Sequence, residues 1–249
     1  MDYKEIMIEV DGVNIPFNPA WNKIAISLSG GADSALLAYL LCDMIVNTNN
    51  SIEVHVISHI RNWKTKPWQN YDSLAVYNYL QLMFPAIQFV RHDNFIPPDL
   101  EWGTKGPNIV DEYGKLVSGD IIELRSFAEY VCYQNQVNAY YNAVTRNPKD
   151  VDFQGMPTRD IDPTEDNQRL AIMMHMGKLA CHPFRFVEKS WIVRQYRRLR
   201  ILKLLDITRS CEGEFENINY ETYTLGQFVP TCGECFWCKE REWAIEQSK

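Results

Sequence analysis

The chain has 249 residues, of which 46% are hydrophobic and 23% are charged, a composition typical of a globular protein and unlike that of a disordered or fibrous one. At this length we expect one full-sized α/β domain with a small appendage. The formal net charge of −7 argues against a protein that coats nucleic acid, so nucleic acid is not expected as a direct partner. The longest apolar run, residues 35–42, is far shorter than the ~20 residues of a membrane span, and the N-terminus lacks signal-peptide character, so we expect a cytoplasmic protein.

The first part of the chain alternates between strand-like and helix-like patterns. Alternating apolar residues on both sides of Asp11 and Gly12 predict a β-hairpin within residues 1–20. Strands are then predicted at 24–28, 52–57 and 87–90, and helices at 35–46 and 73–84. Because strands that alternate with helices form βαβ units, the pattern predicts an α/β fold with a parallel sheet.

The second part of the chain begins with a break in this rhythm. Residues 92–120 are rich in glycine and proline, which predicts a long loop that is either a lid or binding loop or a disordered insertion. Helices are predicted at 121–145, 165–179 and 189–205, a short strand at 151–153 and the last strand of the sheet at 183–187. We expect a first domain over residues 1–208 and a C-terminal segment over 209–249.

A glycine-rich turn, Ser29-Gly30-Gly31-Ala32-Asp33-Ser34, follows the strand predicted at 24–28. Two glycines let the backbone turn N–H groups toward an anion, and the following helix adds the partial positive charge of its N-terminus. The hydroxyls of Ser29 and Ser34 add donors, and the turn lacks the Gly-Lys-Ser/Thr ending of a Walker A loop. The pattern predicts a phosphate-binding loop, and the alternative is a plain turn in which Asp33 or Ser34 caps the helix.

Cysteine is used unusually in this chain, because four of the seven cysteines lie near the C-terminus. These four are Cys211, Cys232, Cys235 and Cys238. Disulfides are not expected in a cytoplasmic protein, and two overlapping Cys-x-x-Cys turns with a remote fourth thiol predict a closed zinc site. A redox pair needs only two thiols, whereas an iron–sulfur cluster would use the same four ligands and stays open.

The glycine-rich turn resembles the SGGxDS signature of the PP-loop ATP pyrophosphatases, enzymes that cleave ATP between its α- and β-phosphates to adenylate a substrate. The match is complete over residues 29–34. The resemblance implies a Rossmann-like, doubly wound parallel sheet of the adenine nucleotide alpha hydrolase type. It also implies that ATP is bound by Ser29, Gly30, Gly31, Asp33 and Ser34, and that Asp33 is catalytic and helps to hold Mg²⁺.

The glycine-rich turn and the C-terminal cysteines together resemble the 7-cyano-7-deazaguanine synthases. These enzymes convert 7-carboxy-7-deazaguanine into its nitrile for queuosine or for deazaguanine-modified DNA. Residues 188–193 are similar to the lysine-containing segment of that family, which implies that Lys189 is catalytic and faces the ATP phosphates. The resemblance further implies adenylated intermediates, a small deazapurine substrate and a structural Zn²⁺. Since no glutaminase domain fits in the remaining length, free ammonia is the expected nitrogen source.

Two features of the chain depart from that family. Residues 212–231 separate Cys211 from the other three cysteines, where the family has a much shorter stretch. The family also has an Asp-Cys-Arg element near the substrate, whereas residues 156–162 contain no cysteine. Two other hypotheses therefore stay open: a PP-loop enzyme that acts on another acceptor, such as tRNA or a protein terminus, and a non-catalytic nucleotide-binding zinc protein.

Four residues are candidates for contacts with the substrate. Arg159 and Asp160 lie in the segment that corresponds to the missing element, and the alternative for both is a solvated loop. His59 and Arg61 lie where a predicted parallel strand ends, at the edge where α/β sheets bind ligands. A basic run at 194–203 could contact phosphates or nucleic acid, although a solvated or subunit-facing helix surface is favoured. The sequence leaves a homodimer open.

Overall fold

A computed structural model describes residues 6–60, 68–96, 108–110, 116–156, 171–173, 179–212 and 231–249. The strands are β1 (Ile6–Val10), β2 (Val13–Phe17), β3 (Lys23–Ser27), β4 (Glu53–Ile60), β5 (Phe89–Phe95), β6 (Asn108–Val110), β7 (Leu116–Ser118), β8 (Ala139–Tyr141), β9 (Ala171–Met173) and β10 (Leu179–Cys181). The helices are α1 (Ala32–Asn47), α2 (Gln69–Met83), α3 (Gly119–Gln134), α4 (Lys189–Arg198), α5 (Leu202–Asp206) and α6 (Phe236–Gln247).

The predicted N-terminal hairpin is confirmed by the antiparallel pairing of β1 with β2. Asp11 and Gly12 connect the strands with φ values of 48° and 78°, the left-handed conformation that a type I′ turn requires at both central positions. The side chain of Asp11 accepts a hydrogen bond of 2.6 Å from Gln195 of α4, and its carbonyl accepts one of 3.1 Å from the indole of Trp191. The hairpin turn is therefore fastened to α4.

The central sheet has six strands in the order β5-β4-β3-β8-β10-β9. All neighbouring pairs are parallel except β9 and β10, which are antiparallel. Ile24 and Ile26 of β3 pack in the core with α1, α2 and α4, whereas Ala25 packs in a second core with α3 on the other face. Because helices cover both faces of a mainly parallel sheet, the predicted α/β doubly wound fold class is confirmed.

The strand order changes direction at β3. The chain passes from β3 through α1 to β4 on one side, while β8 lies on the other side of β3. In open α/β sheets such a switch point leaves a crevice at the carboxyl ends of the strands. The glycine-rich turn after β3 and the segment after β8 both open into this crevice.

Several predicted elements of the second half are wrong in type or extent. The helix predicted at 121–145 ends at Gln134, where Gln136 with φ 54° reverses the chain into β8. The region predicted as a helix at 165–179 contains β9 and the start of β10. A strand of three residues is too short to show a period of its own, so the apolar residues of this region do not distinguish a strand from a helix.

The other corrections concern short apolar segments. Residues 151–153 form no strand. Residues 183–187 form two consecutive turns instead of a strand, closed by hydrogen bonds from Arg185 N to His182 O and from Val187 N to Phe184 O, both 3.1 Å. The helix predicted at 189–205 is divided into α4 and α5 at Arg200, which has φ 59°.

The region predicted as a long loop, 92–120, contains the end of β5 and the antiparallel pair β6 and β7. Its remaining parts, 97–107 and 111–115, lie outside the described residues, so its role as a lid or binding loop stays a prediction. The domain division between residues 208 and 209 also stays a prediction. In the parts of the chain that the structure describes, no helix has the length and apolar character needed to span a membrane.

Candidate nucleotide site and cysteine cluster

The glycine-rich turn lies between the carboxyl end of β3 and the first turn of α1. Leu28 N donates a hydrogen bond of 2.8 Å to Ile57 O, and Leu28 O accepts one of 3.0 Å from Ser58 Oγ, so β4 fixes the start of the turn. Gly31 is the N-cap of α1, so no side chain of the N-cap residue covers the N–H groups of the first turn. The turn therefore presents a helix N-terminus to the crevice, which is the arrangement that favours anions.

Hydroxyl groups hold the turn in shape. Ser29 N donates to Ser34 Oγ over 3.2 Å, and Ser34 Oγ donates to Gly31 O over 3.1 Å. The hydroxyls of Ser29 and Ser34 are also 3.1 Å apart. These short local bonds rigidify the backbone, so its donors are organised before a ligand binds.

Gly30 is required by both its conformation and its surroundings. Its φ is 80°, which residues with a side chain adopt only at a cost. A β-carbon at this position would lie 2.7 Å from Ser73 N and 2.9 Å from Asp72 Cβ. The turn is thus pressed against the first part of α2, where burial raises the pKa of Asp72 to about 6 against the opposing effect of Arg209.

Lys189 and Asp33, the two residues predicted as catalytic, form an ion pair. Lys189 begins α4 and its Nζ lies 3.0 Å from Asp33 Oδ2 in the first turn of α1. The Lys189 side chain is only 3% exposed, whereas Asp33 is 17% exposed. The hydroxyl of Tyr196, two helical turns after Lys189, donates a hydrogen bond of 2.7 Å to Ala32 O, so the contact between α1 and α4 is fixed beside the ion pair.

A second carboxylate, which the sequence analysis does not find, faces Lys189 from the C-terminal helix. Glu240 Oε2 lies 3.4 Å from Lys189 Nζ and the Glu240 side chain is fully buried. The indole of Trp237 lies on the same side of α6, with its ring centroid 5.9 Å from Lys189 Nζ. One cation is therefore shared by two carboxylates from opposite ends of the chain.

The glycine-rich turn, Lys189 and Trp237 line a cleft of about 220 Å³ at the switch point, whereas Glu240 lies behind Lys189 and outside the lining. Most of its walls come from four segments: the glycine-rich turn, the segment after β8, the start of α2 and the segment after α5. Its lining consists of Ser27, Ser29, Gly31, Asp33, Ser34, Trp68, Gln69, Asn142, Ala143, Val144, Thr145, Lys189, Arg209, Ser210, Cys211, Glu212 and Trp237. The cleft joins backbone donors, an ion pair and aromatic rings, a combination suited to a phosphorylated ligand with a flat base.

The four C-terminal cysteines come together at the rim of this cleft. Their Sγ atoms all lie within 4.8 Å of one another, with 3.6 Å between Cys211 and Cys232 and 3.9 Å between Cys232 and Cys238. Backbone N–H groups of Cys232 and Cys235 point at neighbouring sulfurs over 3.4 and 3.3 Å. Hydrogen bonding from Cys211 lowers the pKa of Cys235 to about 4. The cluster could therefore hold a metal ion.

The residues predicted to contact the substrate are not brought together in the described structure. His59 is buried beside Asn94 and Phe127 and does not line the cleft. Arg61, Arg159 and Asp160 lie outside the described residues. By contrast, Trp68 lines the cleft with its ring 3.8 Å from Arg209 Cζ.

Sequence reasoning missed three polar or aromatic residues of this site: Glu240, Trp237 and Arg209. A weak signal for two of them was available, since Trp237 and Glu240 are three positions apart on a helix and therefore share a face. No local pattern indicates that this face meets Lys189, because the contact depends on the packing of α6 against α4.

Comparison with known protein families and with curated protein sequences gives no match. Comparison with solved structures gives several. A U34-tRNA thiolase from Methanococcus maripaludis, with its [4Fe-4S] cluster, is 13% identical with a TM-score of 0.43 over 72% of this chain and 56% of that one. An NMN synthetase from Francisella tularensis is 13% identical with a TM-score of 0.43 over 92% and 88%. An NAD⁺ synthetase from Burkholderia pseudomallei is 10% identical with a TM-score of 0.41 over 92% and 75%. The chain thus spans little more than half the length of the thiolase.

Proposed function

We propose that the chain is an ATP-dependent adenylating enzyme that cleaves ATP between the α- and β-phosphates. The observation that carries this proposal is the position of the complete Ser29–Ser34 turn. The turn lines one cleft at the switch point of a parallel sheet, and its Asp33 pairs there with Lys189. The N–H groups at the start of α1 stabilise the negative charge that develops on the departing pyrophosphate. The ammonium of Lys189 adds a positive charge on the same side.

The cleft also suits magnesium. Mg²⁺ at nucleotide sites is typically held by one or two carboxylates together with the phosphates, and Asp33 is a carboxylate that lines the cleft. When bound, Mg²⁺ would neutralise phosphate charge. Asp33 would hold the ion beside the turn, and the ammonium of Lys189, 3.0 Å from Asp33 Oδ2, would add a second positive charge.

For the acceptor we propose 7-carboxy-7-deazaguanine, on the strength of the sequence resemblance in the glycine-rich turn, the lysine segment and the cysteine cluster. A carboxylate oxygen of the acceptor bonds to the α-phosphorus while the bond from that phosphorus to the pyrophosphate oxygen breaks. Ammonia then attacks the acyl carbon, AMP leaves with the carboxylate oxygen, and a proton is lost, which gives the amide. Positioning and charge stabilisation are the main contributions that the protein makes.

The amide then undergoes a second activation of the same kind. Its oxygen bonds to the α-phosphorus of a second ATP, and pyrophosphate leaves again. Loss of AMP and of the remaining protons on nitrogen yields the nitrile. Each nitrile therefore consumes two ATP and releases two AMP, and one phosphate loop serves both steps.

We also propose that the cysteine cluster holds one Zn²⁺. A tetrahedron with Zn–S bonds of about 2.3 Å has edges of about 3.8 Å, close to the Sγ distances of 3.6 and 3.9 Å. Thiolates that bind separate iron atoms at the corners of an iron–sulfur cube stand further apart than thiolates that share one ion. The spacing of the sulfurs therefore favours a single ion, with the role of fastening α6 beside the cleft.

A second acceptor class is supported by one specific observation. The five basic residues of the run from α4 through the connecting residues into α5 are all exposed: Arg194, Arg197, Arg198, Arg200 and Lys203. An exposed basic surface suits an RNA backbone, and the chain lacks the Asp-Cys-Arg element of the nitrile-forming family. The alternative is thus the same adenylation chemistry with tRNA as the acceptor.

Product analysis tests the proposal. The purified chain is incubated with ATP, Mg²⁺, ammonia and 7-carboxy-7-deazaguanine, and AMP, pyrophosphate and the nitrile are quantified by mass spectrometry. We expect all three products, and we expect Asp33→Asn to abolish AMP release while Asp43→Asn, on the same helix but away from the cleft, does not. AMP release with tRNA alone would support the second acceptor class, and the absence of AMP with every acceptor would contradict adenylation.

A further inference from the structure

Glu240 is a fully buried carboxylate that does not line the cleft. Burying a carboxylate is costly unless a cation and hydrogen-bond donors compensate for its lost hydration. The cation here is Lys189, 3.4 Å away, which is also 3.0 Å from Asp33. Lys189 thus has one carboxylate partner that a ligand in the cleft can reach and a second partner that it cannot.

This asymmetry gives the two carboxylates different tasks. A lysine side chain is a compact charge on a flexible four-carbon stem, so a single contact fixes its direction poorly. If Asp33 binds a magnesium–nucleotide complex, only one of these two carboxylates, that of Glu240, still pairs with the Lys189 ammonium. The ion pair with Glu240 would then hold the ammonium beside the glycine-rich turn.

The C-terminal helix holds Glu240 in position. Cys235 is the N-cap of α6 and Cys238 lies in its first turn, so the cysteine cluster fixes the start of the helix. Arg241 donates hydrogen bonds of 2.9 Å to Thr208 O and 2.8 Å to Leu205 O, which fasten α6 to the segment before Cys211. The cysteine cluster is therefore linked to Lys189 through a single helix.

We propose that Glu240 is a positioning residue that holds the Lys189 ammonium at the phosphate loop when Asp33 engages the magnesium–nucleotide complex. This inference rests on the proposed ATP-dependent function. It adds a role for the C-terminal helix, which carries Glu240 as well as Cys238 of the cysteine cluster. The role is exerted through Lys189, since Glu240 itself does not touch the cleft.

The test is a double-mutant cycle on ligand binding. Isothermal titration calorimetry with Mg²⁺ and α,β-methylene-ATP, which cannot be cleaved at the α–β position, is applied to the wild type, Glu240→Gln, Lys189→Met and the double variant. We expect Glu240→Gln to weaken binding about tenfold, the effect of one charge-assisted contact. In the Lys189→Met background the same change should have no further effect. Glu242→Gln, at an exposed position of α6, is the matched control and should bind like the wild type.

Thermal unfolding of the same variants reports separately on the pairing. Lys189→Met removes this cation from the buried Glu240, so Glu240→Gln should raise the melting temperature of that variant instead of lowering it. Should Glu240→Gln melt below the assay temperature, Glu240→Asp takes its place in the cycle, and a further loss of binding in the Lys189→Met background would still overturn the positioning role.

Two results would overturn the positioning role: normal binding by Glu240→Gln, or an equal further loss when the change is made in Lys189→Met. Failure of the wild type to bind the analogue would instead refute the proposed function, and the positioning role with it. The two failures are distinguishable because the first requires a wild type that binds.

Discussion

The guanidinium of Arg209 lies over the indole of Trp68, with Cζ 3.8 Å from the ring centroid. Both residues line the cleft, and Arg209 N donates a hydrogen bond of 2.9 Å to Gly30 O. A stacked guanidinium keeps its planar set of donors in one orientation. The stack therefore fixes a positive charge next to the phosphate loop at little further entropic cost.

Replacing Arg209 tests whether this planar geometry matters. Arg209→Lys keeps the charge but loses the stacking and the paired donors, so we expect kcat/KM for AMP release to fall about tenfold, as for the loss of one strong charged contact. Arg194→Lys, at an exposed position of α4, should leave kcat/KM unchanged. Equal activity of Arg209→Lys and the wild type would show that charge alone suffices.

The glycine-rich turn offers a sharp stability comparison. Gly30→Ala combines a left-handed φ with a β-carbon 2.7 Å from Ser73 N, and we expect it to lower the free energy of unfolding by about 3 kcal/mol. Gly12→Ala has a similar φ of 78° but open space around the β-carbon, so it should lose only about 1 kcal/mol. Urea denaturation measures both, and equal losses would contradict the close packing of the turn on α2.

Asp72 predicts a pH dependence of stability. Its pKa in the folded chain is raised to about 6, chiefly by burial, from an ordinary value of 3.8. The folded state holds this proton more tightly than the unfolded state does. The stability that the Asp72 proton contributes is therefore fully present at pH values below the ordinary pKa, and it is lost as the pH rises through about 6. Asp72→Asn should therefore be more stable than the wild type at about pH 8, with a difference that shrinks toward about pH 4. Denaturant unfolding across this range measures the difference, and a difference independent of pH would contradict the raised pKa.

Metal removal tests the cysteine cluster. Metal analysis should give about one zinc per chain, and a chelator should lower the melting temperature because the ion stabilises only the folded arrangement of thiolates. Cys232→Ser should melt at a lower temperature than the wild type and respond little to the chelator, since one ligand is already missing. Iron in place of zinc, or an unchanged melting temperature after chelation, would overturn the structural zinc assignment.

Local features of the sequence predict the parts of the fold that depend on short-range physics. The hairpin at Asp11 and Gly12 follows from turn chemistry, and the turn from Ser29 to Ser34 follows from two glycines between a buried strand and a helix. The strand β8 could not be predicted, because three residues after a helix carry no period of their own. Pairing with β3 on one side and β10 on the other makes these three residues a strand.

The residues of the site also divide into those that local sequence patterns predict and those that depend on tertiary packing. The ion pair of Lys189 with Asp33 joins two residues that the sequence predicts as catalytic, whereas no local pattern indicates that Glu240 faces Lys189. Glu240 lies in a run of four charged residues, 239–242, so its burial is recognised only once its partner is known. The tertiary contact between α4 and α6, and not any motif, brings Glu240 into the site.

The most direct test of adenylation is the transfer of an isotope from acceptor to AMP. With both carboxylate oxygens of 7-carboxy-7-deazaguanine labelled with ¹⁸O, each turnover should release AMP that carries one ¹⁸O atom, because the bond to carbon breaks after the oxygen has joined phosphorus. Both labelled oxygens should leave in this way, one with each of two AMP molecules per nitrile. Release of ADP and phosphate, or of AMP without ¹⁸O, would contradict the account.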